Sequence, residues 1–173
     1  MINFYNKLFS VIINELIPET EISILKGNKI FSAAILRKKD LSTVTIGTNN
    51  EMINPLCHGE ISTINNFYNL NLQKKLDTSE CIFLSSHEPC SLCLSAITWS
   101  GFDNFYFFFP YEKTKKDFNI PHDLMILSEI FNIKNGNYNK NNNYWKSYSI
   151  IEEVKKLRNK KMLKKITEIS NKY

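Results

Sequence analysis

The sequence predicts a single α/β sheet with helices packed on its faces. Three observations carry that expectation. Strand-like and helix-like segments alternate along the chain, which is the pattern of a sheet covered by helices. Two short runs, Cys81-Ile82-Phe83-Leu84 and Phe105-Tyr106-Phe107-Phe108-Phe109, are apolar on both faces, as strands buried under helices would be. The chain of 173 residues, 43% apolar and 23% charged, is one globular domain's worth, long enough to bury a core without staples.

The elements follow in order. Tyr5, Leu8, Phe9, Ile12 and Leu16 recur at helical spacing, so an amphipathic helix opens the chain and is expected to stop before Pro18. Lys29 to Leu36 and Leu41 to Ile46 read as strands joined by the polar turn Arg37-Lys38-Lys39-Asp40, a hairpin. After a loop containing Pro55, Ile61, Ile64, Tyr68 and Leu70 mark a helix that starts close to His58. Glu80 to Ser85 is a buried strand. A helix then opens near Pro89, carries Leu92, Ala96, Ile97 and Trp99, and stops at Gly101. Trp99 and the Phe105 to Phe109 run are expected in the core. Pro121 opens another helix through Leu124, Leu127, Ile130 and Phe131, with Asp123 read as a helix-capping residue. The Asn-rich stretch from Asn132 to Asn143 is loop chemistry, and one last helix, rich in lysine, runs from Ile150 to about Ile169. Residues 1–149 form the expected core domain, with 150–173 a helical extension packed on it.

The net charge of +5 is a weak pointer to nucleic acid. About one residue in eight is Asn, and Arg37 and Arg158 are the only arginines, a bias that an AT-rich coding sequence would produce. A surface selected to grip phosphate would favour Arg, whose planar fork matches phosphate geometry. The cluster Lys155-Lys156, Lys160-Lys161 and Lys164-Lys165 is therefore read as a solvated helix face, with RNA binding the less favoured alternative. No stretch reaches the roughly 18 uncharged apolar residues that a spanning helix needs, so no membrane association is expected. The first segment, interrupted by Lys7 and Glu15, reads as structure rather than as a signal peptide. The expected compartment is the reducing cytoplasm, where Cys57, Cys81, Cys90 and Cys93 would not pair as disulfides.

The chemistry concentrates in His58-Gly59-Glu60 and in Pro89-Cys90-Ser91-Leu92-Cys93. Cys90 and Cys93 are three apart at a helix start, so both sulfurs lie on one side, where free N–H groups favour thiolates. Two thiolates and a neutral imidazole suit Zn2+, and three protein ligands leave a fourth position open to water. Such a site is neutral overall, so its pull on water is modest and a nearby base should help. Glu60 stands two residues past His58, where it could take that proton and return it to a leaving amine. A bare Cys-x-x-Cys is more often structural or redox-active, and a structural zinc would need a fourth ligand. Cys57 is the obvious candidate, but as His58's neighbour it should point about 100° away on a helix. Cys81 lies on a strand and is expected in the core. His87, at the strand end before Glu88-Pro89, either lines the pocket and contacts substrate or is a packed structural histidine. Glu88 is expected to hold the loop.

Taken together, these residues resemble the cytidine and deoxycytidylate deaminase superfamily, most of all its guanine deaminase and tRNA adenosine deaminase branch. The resemblance covers roughly residues 5 to 131. It is strongest in Gly47-Thr48-Asn49-Asn50, in Cys57-His58-Gly59-Glu60-Ile61, and in Glu88-Pro89-Cys90-Ser91-Leu92-Cys93-Leu94-Ser95-Ala96-Ile97. The family places Ala where this chain has Gly59. The resemblance implies a three-layer α/β/α sandwich around a central mixed five-stranded sheet, whose fifth strand could only be Asn143 to Ser149. It implies one zinc per chain on His58, Cys90 and Cys93, with Glu60 as proton shuttle and Asn49 hydrogen-bonding the base or ribose. It further implies hydrolytic deamination, with a free nucleobase or nucleoside, guanine-like purines first, as the expected substrate. A tRNA adenosine deaminase and a non-catalytic zinc-stabilised module are the alternatives. A homodimer is expected by analogy.

Overall fold

The computed structural model describes residues 1–74 and 76–173. It opens with α1 (Ile2–Val11) and a π-helical stretch (Ile12–Leu16) that runs directly into α2 (Ile17–Leu25). The opening helix therefore does not stop before Pro18. Ile17 donates its N–H to the Ile12 carbonyl, five residues back, so the ladder widens just ahead of the proline. Pro18 then falls at the second position of α2. The wider turn relieves the clash that a proline ring makes inside an ordinary helix.

The expected hairpin is β1 (Ser32–Arg37) and β2 (Thr43–Thr48), antiparallel, with Ala34 opposite Ile46. Next come α3 (Gly59–Lys74), β3 (Cys81–His87), α4 (Ser91–Trp99) and β4 (Asn104–Phe109). Two helices then follow, α5 (Tyr111–Phe118) and α6 (His122–Glu129), of which the sequence pattern showed only the second. Helix α5 is largely charged and ends at Asn119 in the left-handed region, φ 54°. The fifth strand, β5 (Lys146–Ser149), completes a mixed sheet of order β2-β1-β3-β4-β5. Its β1–β2 and β1–β3 pairs are antiparallel, and β3–β4 and β4–β5 are parallel.

The single last helix is in fact two, α7 (Ile150–Lys156) and α8 (Lys160–Lys172). Arg158 takes φ 50°, and the Asn159 side chain accepts from the N–H groups of Lys161 and Met162, a polar cap that restarts the helix. Both pieces share the apolar layer beneath the sheet: Ile150, Val154, Met162 and Ile169 pack with Leu8, Phe9, Ile12, Ala34, Leu84 and Phe108. The opposite layer, under α3 and α4, joins Ala33, Ile35, Phe67, Phe83, Leu94, Ile97, Phe105 and Phe107. Alternate residues of β1 and β3 thus feed opposite layers, and the central strands are covered on both sides. Trp99 is the exception to the expected core. As the last residue of α4, beyond its buried stripe of Cys93, Leu94 and Ile97, it is 90% exposed. No helix among the described residues is long and apolar enough to cross a membrane.

Candidate active site

Two helix starts meet at one end of the sheet. His58 immediately precedes α3, and its carbonyl accepts from Ser62 N–H, opening the helical ladder. The loop before it is held by Asn49, whose Oδ1 accepts from Gly59 N–H at 2.5 Å and whose Nδ2 donates to Glu51 Oε1 at 2.7 Å. Gly59 itself lies against β1. A Cβ there would stand 2.8 Å from Ser32 Cα and 2.9 Å from the Phe31 carbonyl oxygen, which is backbone and cannot swing aside. This close approach presses the first turn of α3 onto the sheet and fixes the two residues on either side of Gly59.

The second helix start supplies the sulfurs. Cys90 is the residue that caps α4, with extended backbone (φ −64°, ψ 171°), rather than a member of its first turn. Cys93 is inside the helix and fully buried. The three donor atoms form a nearly equilateral triangle: Cys90 Sγ to His58 Nδ1 3.4 Å, Cys93 Sγ to His58 Nδ1 3.6 Å, and Sγ to Sγ 3.5 Å. Tetrahedral zinc with ordinary zinc–sulfur and zinc–nitrogen bonds would set its ligands about 3.6 to 3.8 Å apart, so the triangle fits one such ion. Among the described residues no fourth His, Cys, Asp or Glu joins the group. Cys57 is partly exposed and stands outside it, and Cys81 is buried at the far end of β3, its thiol pushed up to about 11 by burial.

Glu60 lies beside the triangle, in the first turn of α3 and 4% exposed. Its Oε1 accepts from Ser85 Oγ at 2.8 Å, and its Oε2 accepts from Cys93 Sγ at 3.2 Å. Burial, and then the nearby Cys90 sulfur, raise its proton affinity above the usual carboxylate range. The two cysteines respond oppositely. Hydrogen bonds from Cys93 and His58 stabilise a Cys90 thiolate and lower it to about 4, whereas its bond to Cys90 and its burial keep the Cys93 proton on. His58 is raised, chiefly by its bond to Cys90. A divalent cation inside the triangle would draw both sulfurs to the thiolate.

Two residues near this centre escaped the sequence pattern. Ser85 belongs to β3 on the side that faces α3, and the only sequence signal was a hydroxyl at the end of an apolar run. Asp123 was read as a cap, but Pro121 caps α6 and no side chain caps it. The half-buried Asp123 carboxyl is instead raised to about 7, first by its partial burial and then by Cys90 and Glu60. His87 is placed differently from the other candidates. It is 1% exposed, and its ring is enclosed by Phe31, Phe109, Phe118 and Tyr173. Ser86 Oγ meets its Nδ1 at 2.9 Å, Nε2 has no partner, and burial lowers it to about 3.

A fold that brings two helix starts together around a His-Cys-Cys triangle and a buried glutamate defines a class of zinc-dependent deaminases. The profile of the cytidine and deoxycytidylate deaminase zinc-binding region matches residues 15–109, and the chain belongs to that family. No curated protein matches it significantly. Among solved structures it is similar to guanine deaminase from Bacillus subtilis, at 21% identity and TM-score 0.55 over 80% of this chain and 86% of that one. A structure from work on A-to-I editing by tRNA:A34 deaminases matches at 17% identity and TM-score 0.53, covering 78% and 95%. Guanine deaminase from Nitrosomonas europaea matches at 14% identity and TM-score 0.51, covering 89% and 80%. These likenesses share the mixed five-stranded α/β fold.

Proposed function

We propose that the protein hydrolytically deaminates the exocyclic amino group of a free nucleobase or nucleoside, with guanine-like purines preferred. The observation that carries this reading is the Glu60 carboxylate beside the His58, Cys90 and Cys93 triangle. Those three side chains would hold zinc, which when bound polarises water for attack on the ring carbon that bears the amine. The rest is the work of the chain. Ser85 occupies Oε1 of Glu60, so Oε2, on the Cys93 side, is the oxygen that carries the proton. Its raised proton affinity suits a group that carries two protons in turn, one from the attacking water to the ring nitrogen and a second from the added hydroxyl to the departing ammonia. Asp123, poised near neutrality, is assigned to a substrate N–H or to sharing that proton. Asn49 spends one amide N–H on Glu51, and the second is assigned to the base or ribose. His87 is assigned to packing.

Residues 1–149 would form the catalytic domain, and α7 and α8 an extension that completes its lower apolar layer. We place the protein in the cytoplasm, where a reducing environment keeps Cys90 and Cys93 available to metal, and as a homodimer, to be checked by light scattering. The RNA reading is favoured by one observation, the lysines of α7 and α8. Yet Lys165 donates to Asn6 Oδ1 and the exposed Lys156 pairs with Glu153, which leaves Lys155, Lys160, Lys161 and Lys164 as the exposed lysines of that cluster outside these two pairings. Lysines with a single arginine, Arg158, and no aromatic interleaving make a weak RNA footprint. The test is ammonia release by zinc-loaded protein from guanine, adenine, cytosine, their nucleosides and nucleotides, and a tRNA stem-loop. Guanine-led turnover supports the proposal. Turnover on the stem-loop alone, lost on neutralising those lysines, moves the substrate to RNA, and silence on every arm overturns the reading.

A further inference from the structure

We infer that Glu88 is a positioning residue for the metal site, and that the Asn-rich segment after α6 is the strap that holds it. This rests on the reading above, in which Cys90 is a zinc ligand. The two sulfurs are secured by different means. Cys93 sits inside α4, where the helical ladder fixes its backbone. Cys90 lies outside that ladder, so the place of its sulfur depends on the turn Glu88-Pro89-Cys90 that delivers it.

That turn is gripped from outside the site. Glu88 is buried, and its Oε2 accepts from Tyr111 N–H, at the start of α5, at 3.0 Å. Its Oε1 accepts from Tyr138 Oη at 2.9 Å and from Lys140 Nζ at 2.8 Å. One residue on, the Pro89 carbonyl accepts from the Tyr111 hydroxyl. Burial raises both phenols far above their ordinary range, so they remain donors. Three donors therefore converge on one buried carboxylate, and the compensating cation, Lys140, comes from the Asn-rich segment. Lys140 also lies 5.2 Å over the Phe107 ring and 5.3 Å over Tyr138. Upstream, the segment turns at Gly136, φ 65°, where a Cβ would stand 2.6 Å from Tyr111 Cδ2. The strap thus lies flat on the tyrosine that holds Pro89.

A buried carboxylate with a single cationic partner is costly to leave unpaired, which ties the strap to the turn energetically as well as by shape. Outer partners of metal ligands commonly govern how firmly the metal is kept. The hydrogen bonds and ion pair of Glu88 go to Tyr111, Tyr138 and Lys140 rather than to His58, Cys90 or Cys93, and its effect passes through the backbone to Cys90.

The test is the rate at which zinc-loaded protein surrenders zinc to a chelating dye, measured beside thermal unfolding. Lys140→Met, Tyr138→Phe and Glu88→Gln should each speed release, roughly tenfold for Lys140→Met. Lys140→Arg should restore the slow rate. Lys38→Met, which breaks the Lys38–Asp103 pair across the molecule, should lower stability without touching release. If release in the strap variants stays within twofold of the parent, or if Lys38→Met speeds it equally, the strap is refuted while zinc binding stands. If the parent takes up no zinc, this inference and the proposed function fall together.

Discussion

Two histidines sit at the same end of the sheet in surroundings that pull them in opposite directions. His58 faces two sulfurs and a carboxylate, and its hydrogen bond to Cys90 raises its hold on a proton. His87 faces four aromatic rings, and burial strips its proton down to about 3. Both rings are removed from bulk water to some degree, so burial alone does not make a ligand. A ring is placed as a metal donor when its neighbours are themselves donors directed at one common centre. It becomes a packing element when its neighbours are hydrocarbon faces.

The sharpest break between the two regions should come from His58→Ala, which opens the triangle. Metal content and turnover should disappear together while the chain still folds, as read by metal analysis and circular dichroism. A variant that keeps one zinc per chain would erase the distinction. Glu60→Ala should be nearly as damaging to turnover and harmless to binding. We expect one zinc per chain and a rate lowered by about 10² to 10⁴-fold, and full activity would end Glu60's role as proton carrier.

The third expectation concerns stability and pH. Unfolded, His87 takes up its proton near its ordinary 6.5, whereas folded it resists down to about 3. Between those values the unfolded chain binds more protons, so stability falls as pH drops from 6.5 toward 3 and is fully present above 6.5. Its share of that loss is about 2 kcal/mol by pH 5. His87→Phe should flatten that part of the profile in paired denaturant titrations, and superimposable profiles would show that His87 does not titrate as described. The smallest effect belongs to the exposed His122. With neither sulfurs nor a ring cage around it, His122→Ala should change unfolding free energy by no more than about 0.5 kcal/mol.

What the sequence revealed and what it hid divide along a physical line. His58, Glu60, Cys90 and Cys93 were legible because each pair is set by spacing within a turn or two of helix. The β3 and β4 runs were legible because strands covered on both faces need apolar residues at every position. Ser85 and Asp123 reach the site from a strand and a helix brought together only by the folded chain, and a lone hydroxyl or carboxyl carries no period. The continuation of the first helix through Pro18 depends on one widened turn, and the break at Arg158 and Asn159 on one backbone angle and one cap. Such single-residue events leave hydrophobic spacing almost untouched. Trp99 shows the reverse error, since an aromatic residue suggests the core whatever its place on the helix, and only the end of α4 leaves it outside.

The absence of a side chain at residue 59 reaches beyond local fit. The family pattern that this chain resembles has alanine there, yet in this chain one added methyl would meet the main chain of Ser32 and Phe31. Borrowing from that pattern one residue at a time is therefore blocked at this spot. Restoring its alanine would require β1 to retreat in the same step, taking with it the mutual placement of an imidazole and a carboxylate. Grafts between this lineage and its cousins should move the strand and the helix start as a single block.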